Sequence, residues 1–348
     1  MQTIYDLDFQ EMENMLLAKG QKKYRAKQLY AWLYRQRVQS FEQMTDLPQS
    51  LIESLKEDFS MFPLTLLKKQ VASDGTAKYL FQCMDGCTIE TVLMHFHFGE
   101  SVCVSSEIGC NMGCTFCASG LLKKQRNLTA GEMTAQILYI QKELDEQQKR
   151  VNNVVIMGTG EPFDNYDNVM AFCRIINSDL GLAIGARHIT ISTCGLVPMI
   201  NRFAQEHVQY NLAVSLHASN HELRLKLMPI EKAWPLDQLM QSLRDYSSDN
   251  NRRLTFEYIL LRGINDSDQN AAELAELIRG MNAYINLIPY NEVDENGYRT
   301  TDDRTALHFY DVLMRHGVKA TLRSKHGEDI DAACGQLRAK HEKNREDA

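Results

Sequence analysis

The sequence predicts an α/β protein: a parallel sheet curled into a full or partial barrel, preceded by a small helical module and a β-hairpin. Three observations carry this expectation. From residue 100 onward strand-like and helix-like stretches alternate, the pattern of β/α units wound onto one parallel sheet. Polar and glycine-rich residues gather at the carboxyl ends of those strand-like stretches, where such barrels carry their chemistry. Ahead of them, residues 1 to about 75 show apolar residues at helical spacing.

FQEMENMLLAKG and LPQSLIESLKEDF carry that spacing most clearly, so residues 1–75 are expected to form short helices. KYLFQC, the turn MDG and CTIETVLM read as a hairpin across 76–98, which SVCVSSEIG extends. The barrel, 99–325, continues with a helix opened by Thr129, with Glu132 three residues on as a capping box. Then follow VNNVVIMG and DNVMAFCRIINS, RHITISTCG and LVPMINRFAQE, YNLAVSLHA and DQLMQSLRDYSSD, RRLTFEYILL and SDQNAAELAELIRG, AYINLIPYN and TALHFYDVLMRHG, and last VKATLRS. Six or seven β/α units in one run imply parallel strands joined by right-handed crossovers. A C-terminal segment, 326–348, ends in the charged RAKHEKNREDA.

A chain of 348 residues, 44 % hydrophobic and 24 % charged, can bury a large core without disulfide or metal staples. Its apolar runs fall short of a membrane span and its acidic start is unlike a signal peptide, so a cytoplasmic protein without membrane partners is expected. Nine cysteines in such a chain read as metal or catalytic thiols before they read as a disulfide framework. The net charge of −7 does not point to nucleic acid, but its distribution does. KGQKKYRAKQLYAWLYRQR, residues 19–37, holds seven Lys or Arg and no acid, interleaved with Tyr24, Tyr30, Trp32 and Tyr34. Such a segment suits a phosphate backbone; an amphipathic helix with a solvated charged face is the alternative.

GCNMGCTFCAS places Cys110, Cys114 and Cys117 within eight positions. Structural zinc closes with four ligands, and the nearest histidines in sequence, His97 and His188, are not local. An iron–sulfur cluster held by three thiolates leaves one iron open to another ligand. Zinc remains the competing reading of the spacing. Further on, Gly158 and Gly160 of GTGEP let backbone approach a ligand, and Glu161 can receive an ammonium group.

CxxxCxxC after the first barrel strand, taken with IETVLM, CVSSEIG, GTGEP, ISTCG, SLHAS, LMPI, IPYN and GEDIDAACGQL in that order, resembles the RlmN and Cfr class of radical S-adenosylmethionine (SAM) ribosomal RNA adenine methyltransferases over nearly the whole chain. The resemblance implies a partial (β/α)6-type radical SAM barrel, a [4Fe–4S] cluster on Cys110, Cys114 and Cys117, two SAM molecules per turnover and a flavodoxin-type or other low-potential electron donor. It further implies a monomer acting on 23S rRNA (adenine-2503) and on tRNA as a second substrate. Carbon-2 of adenine is an electrophilic amidine carbon that the electrophilic methyl of SAM cannot attack, so a radical route is needed.

Residue by residue, the resemblance assigns Gly160 and Glu161 to the SAM amine, and Ser192, Ser215, Leu216, His217 and Asn291 to its carboxylate or ribose. After IPYN the chain departs from the family pattern, reading EVDENGYRTT, so Asn291 rests on IPYN alone. Cys334 becomes the methyl carrier, Cys103 the second thiol that resolves a protein–RNA thioether through a disulfide, and Glu90 the proton acceptor. From the residues alone, Cys103 on an alternating strand and Cys334 beside alanines read first as structural thiols, and a carboxylate such as Glu90 is seldom buried without purpose. The helical module corresponds to the family's RNA-binding domain, with Lys22, Lys23 and Arg25 as candidate contacts; Lys123, Lys124 and Arg126 beside the cluster loop suit phosphates, or a solvated loop. Pro162 after Glu161 matches the carbon-2 branch, the alternative being carbon-8 methylation. A reading of a different class is a non-catalytic, metal-containing RNA-binding protein.

Overall fold

The computed structural model describes residues 2–250, 253–293, 296–323, 330, 336–338 and 341–342. Strand β1 (Gln2–Thr3) pairs in parallel with β2 (Phe59–Ser60) and brackets the helical module. Asp8 opens α1 (Phe9–Ala18) as a capping box with Glu11. Helix α2 (Tyr24–Tyr30) runs into a π-helical turn over Ala31–Gln36, which stops where Arg37 turns left-handed, and α3 (Gln49–Asp58) closes the module. Ala26, Leu29, Tyr30, Leu33 and Tyr34 form one buried stripe. Tyr30 and Tyr34 pack at 4.4 Å between ring centroids, with Tyr5 edge-on to Tyr34 at 5.9 Å.

Residues 64–71, expected to be helical, form strand β3 (Leu64–Val71), antiparallel to β4 (Ala77–Cys83). A bulge between Leu66 and Lys68 puts apolar Leu66 and Leu67 side by side and hides the two-residue period of the strand. The expected hairpin forms from β4 and β5 (Thr88–Phe96), and β6 (Gly99–Cys103) extends it.

Strand β6 also starts the parallel sheet. After it, the short pair β7 (Glu107–Ile108) and β8 (Arg126–Asn127) brackets the three-cysteine loop. Thr129 and Glu132 then cap α4 (Ala130–Asp145), as expected. Alternation continues through β9 (Val151–Ile156), α5 (Tyr166–Asn177), β10 (Ile189–Thr193), α6 (Val197–Gln205), β11 (Asn211–Ser215), α7 (His221–Leu227), α8 (Leu236–Asn250), β12 (Leu254–Leu260), α9 (Asp268–Leu277), β13 (Ala283–Pro289), α10 (Asp303–Arg315) and β14 (Ala320–Leu322). The ten-stranded sheet runs β14-β13-β12-β11-β10-β9-β6-β5-β4-β3. From β6 to β14 every neighbouring pair is parallel; the three hairpin strands extend the other edge antiparallel.

The curled sheet ends on β3 at one edge and β14 at the other, so the barrel is partial. Its apolar side chains, among them Val154, Ile189, Ile191, Leu212, Val214 and Ile285, pack beneath the helices. No helix among the described residues is long and apolar enough to cross a membrane.

Candidate active site at the carboxyl ends of the strands

Because the barrel strands are parallel, their carboxyl ends open on the same side, around one cavity of about 370 Å³. The three loop cysteines line it together with Cys103 from the end of β6, Gly158, Gly160 and Glu161 after β9, Ser192 on β10, Ser215 and His217 at and beyond β11, Glu257 on β12 and Asn291 after β13. Leu216 is the exception among the expected SAM contacts. Its side chain lies in the hydrophobic core and its N–H donates to the carbonyl of Glu257 at 3.1 Å, so it reaches no cavity surface.

Backbone bonds hold the cysteine loop. Cys110 N–H donates to Leu122 O at 3.1 Å, Cys117 N–H to Cys114 O at 3.1 Å, and Thr115 N–H to Leu227 O at 3.0 Å, tying the loop to α7. Burial raises the Cys110 thiol to about 12 and the Cys114 thiol further, with Cys117 adding to both. Ligation would displace those protons. Among the described residues no three His, Cys, Asp or Glu side chains converge as one metal ion would require. Three thiols that line one cavity suit a cluster that offers a separate iron to each and leaves one iron open.

Glu161 is buried, and burial raises its pKa. One carboxylate oxygen accepts from Phe163 N–H at 3.0 Å, the other from Cys194 N–H at 2.7 Å. An arriving ammonium would offset the cost of burying this charge, which fits the amine of SAM. Its own N–H donates to Glu107 at 2.9 Å.

Sequence reasoning passed over Glu107, whose side chain is fully buried. Burial raises it to about 7 although Lys124 pulls the other way. Lys124 Nζ lies 2.5 Å from Glu107 and 2.6 Å from Asp164. Lys124, expected to suit a phosphate, thus has its charge paired with two carboxylates of this chain. Arg126 is likewise engaged, bidentate on Glu132 at 2.7 and 2.8 Å and bound to Asp85 at 2.6 Å. Lys123 is exposed.

His217 sits in left-handed backbone (φ 55°) with Nδ1 accepting from Ile259 N–H at 3.1 Å. Burial lowers its pKa to about 3, so the ring is neutral with its proton on Nε2, edge-on to Phe116 at 4.9 Å. Cys103 is buried on the cavity wall, with Val92 opposite on β5 and Val155 on β9.

Glu90 on β5 is buried too, its carboxylate 2.9 Å from Lys78 Nζ and accepting the Arg338 N–H at 2.5 Å. Lys78, fully buried, is the member of that pair that lines the cavity. Cys334 lies outside the described residues; Ile330, four positions before it, lines the cavity, and Arg338 follows it by four. No disulfide joins the described cysteines. Glu107, Lys78 and Glu257 were all missed, although the signal that singles out Glu90, a charge inside an apolar strand, is present in KYLF and LTFEYIL.

In the helical module Lys22 and Lys23 are exposed, Lys23 pairing with Glu13 at 2.8 Å. Arg25 binds Gln28 at 2.7 Å and the Asp46 carbonyl at 2.8 Å. Tyr30 and Tyr34 face the core, and Trp32 donates to Asp46. Of the interleaved aromatics only Tyr24, half-exposed under Arg25, offers an open face.

A partial parallel barrel with three cavity-lining thiols from one loop and a buried, amine-ready glutamate at its carboxyl end defines a radical SAM enzyme. Comparison agrees: the radical SAM superfamily profile matches residues 106–275, and the profile of the ribosomal RNA large subunit methyltransferase N-terminal domain matches residues 2–61. The chain is 55 % identical over 343 residues to a probable dual-specificity RNA methyltransferase RlmN of Streptococcus suis, covering 97 % of this chain and 92 % of that one. It is 52 % identical to a protein of the same description from Enterococcus faecalis, covering 98 % and 97 %. A radical SAM methyltransferase crystal structure from Sphaerobacter thermophilus superposes with a TM-score of 0.93 at 44 % identity over 97 % of this chain and 99 % of that one. The chain belongs to the RlmN family of radical SAM RNA methyltransferases.

Proposed function

We propose that the protein methylates carbon-2 of an adenine in 23S rRNA and accepts tRNA as a second substrate, through an S-methyl group carried on Cys334. The observation that carries this reading is that Cys103 lines the same cavity as the three cluster thiols and Glu161. A methyltransferase that only bound SAM and RNA would need no such thiol. The dual-specificity description of the relatives supports two RNA substrates.

The cluster and SAM, when bound, supply a hydrogen-abstracting radical. Cys110, Cys114 and Cys117 would hold the cluster, and Gly160 and Glu161 the SAM amine, with Ser192, Ser215 and Asn291 on the facing strand ends. Neutral His217 braces the β11 loop against β12. Cys334 brings its methyl carbon to the base, and the covalent link so formed places protein and RNA on one thioether. Release requires that the base-centred radical give up one electron, which the cluster would accept back, that the carbon-2 proton depart toward Glu90, reached from the cavity by way of Lys78, and that the Cys103 thiolate attack the Cys334 sulfur. The attack breaks the bond of that sulfur to the methylene carbon, which leaves with the electron pair and takes a proton to become the methyl group. That step makes a transient disulfide, which an external thiol reductant reopens.

Mass spectrometry of ribosomal RNA from a strain lacking the gene tests this. Loss of 2-methyladenosine, restored by the intact gene, is the expected result. Loss of 8-methyladenosine alone would move the enzyme to the carbon-8 branch, and an unchanged RNA would refute the reading. Enzyme isolated from cells is expected in the cytoplasm and dependent on a low-potential electron donor.

A further inference from the structure

Glu257 is an acid inside the catalytic cavity that no step above uses. It lies on β12, 4 % exposed, and lines the cavity. Its place is fixed by the backbone, where its carbonyl accepts the N–H groups of Leu216 at 3.1 Å and His217 at 3.2 Å. In register it pairs with Ser215 on β11 and with Asn286 on β13, so polar residues of three adjacent strands share one face. Asn286 Nδ2 donates to Oε2 at 2.7 Å, and among the described residues no donor is bonded to Oε1. Burial raises the pKa of this acid, with the Arg323 guanidinium and the Asn286 bond opposing the shift. A donor brought by a ligand would offset the remaining cost of burying the charge. Ile259, two residues on along β12, and its register partner Ile288 on β13 also line the cavity, so apolar surface adjoins the carboxylate.

We infer that Glu257 is a binding residue for the hydrogen-bond donors of an adenosine, Asn286 holding one carboxylate oxygen while the other meets the ligand. An adenosine joins an apolar purine face, which suits Ile259 and Ile288, to donors at its exocyclic amine and ribose hydroxyls, which an ionised carboxylate accepts strongly. Two adenosines meet in this cavity under the function proposed above, on which this inference rests: that of SAM and that of the target nucleotide. Glu161 stands after β9, three strands round the sheet from β12. A SAM molecule whose amine meets Glu161 therefore turns a different group to Glu257, and its adenosine end carries the donors that remain.

The test uses the anaerobically reconstituted holoenzyme and the isosteric Glu257→Gln. Because Asn286 donates to one end of this side chain, the amide oxygen of the variant stays on that side and its NH2 group faces the cavity, so an acceptor is exchanged for a donor. Equilibrium dialysis reads the binding of SAM and of analogues lacking a ribose hydroxyl or the exocyclic amine. Filter binding reads a substrate RNA stem–loop with adenosine, 2′-deoxyadenosine or purine ribonucleoside at the target position. Glu257→Gln is expected to bind one of the two parent ligands about tenfold or more weakly than wild type, the order of effect of one charge-assisted hydrogen bond. Wild-type enzyme should lose about as much with the analogue that lacks the donor, and the two losses should not add. A loss confined to SAM assigns Glu257 to the cofactor's adenosine, and a loss confined to RNA assigns it to the target nucleotide. Wild-type affinity of Glu257→Gln for both parents would overturn the inference. If Glu257→Gln fails to hold iron and sulfide, wild-type enzyme alone decides, and binding of every analogue as tightly as its parent is the overturning result. Because only binding is read, failure here leaves the proposed methylation standing, which falls instead on unchanged ribosomal RNA in the strain lacking the gene.

Discussion

Glu107 occupies the space that a side chain at Gly160 would need: a Cβ at Gly160 would lie 2.6 Å from both Cβ and Cγ of Glu107. The glycine also has φ 113°, a conformation side chains rarely adopt. The motif glycine, the buried acid and the amide of Glu161, bonded to that acid at 2.9 Å, thus form one unit. Gly160→Ala is expected to displace Glu161 and weaken SAM binding by about tenfold or more, the order of 1–3 kcal/mol of backbone strain. Equilibrium dialysis with labelled SAM reads it, and iron content should stay at the wild-type level.

Replacing any of Cys110, Cys114 or Cys117 with Ala should abolish both bound iron and acid-labile sulfide in anaerobically reconstituted protein, since the remaining two thiols leave the cluster short of a ligand. A variant that retained full iron and sulfide would remove its cysteine from the ligand set. A zinc protein would show no labile sulfide at all.

Lysines that looked alike in the sequence should part company in RNA binding. Neutralising Lys22, Lys23 and Arg25 together should flatten the dependence of RNA affinity on salt by roughly 0.7 to 0.9 log units for each phosphate the module ceases to neutralise. Lys124→Met should leave that slope unchanged and weaken SAM binding, because Lys124 is spent on Glu107 and Asp164. A filter-binding titration across salt concentrations distinguishes the two.

Glu107 makes a signed prediction about pH. Its pKa is about 7 in the folded protein against the ordinary 4.5, so between those values the folded state holds more of this proton than the unfolded state. Its contribution to stability therefore falls as pH rises from about 4.5 to 7, by up to about 1.4 kcal/mol per pH unit for one proton. His217, lowered to about 3, acts with the opposite sign, stability rising from about pH 3 to 6.5 as the unfolded histidine gives up its proton. Glu107→Gln should remove the falling component alone. Denaturant unfolding from pH 4.5 to 7 should then give a slope more positive than wild type, and an unchanged slope would count against the buried, protonated Glu107.

Much of this was readable from residue order. Alternating strand and helix stretches are local patterns, and the Thr129–Glu132 capping box is decided within four residues. The cysteine loop, GTGEP and the strand-end Ser192, Ser215 and Asn291 all reach the cavity because parallel strands force their carboxyl ends together. What could not be read depended on partners far along the chain. Lys124 meets Asp164 forty residues away, and nothing near Lys124 signals it. Tyr30 and Tyr34 were grouped with the cations around them. Their spacing with Ala26, Leu29 and Leu33 is that of a helix's core face, and the structure places them there. Leu216 was carried over with its neighbours Ser215 and His217, but successive residues cannot all face one way, and it points into the core.

Cys103 separates the radical methyl-transfer route from a purely structural cavity most directly. In a Cys103→Ala enzyme the methyl carrier remains while the resolving thiol is gone, so the reaction should halt with protein and RNA joined through Cys334. Incubated with SAM, reductant and substrate RNA, this variant should migrate on a denaturing gel as a heavier species that collapses on nuclease treatment, and tandem mass spectrometry should find the modified nucleotide on Cys334. Normal turnover by Cys103→Ala, with free methylated RNA and no adduct, would contradict the account and leave Cys103 a wall residue without a chemical role.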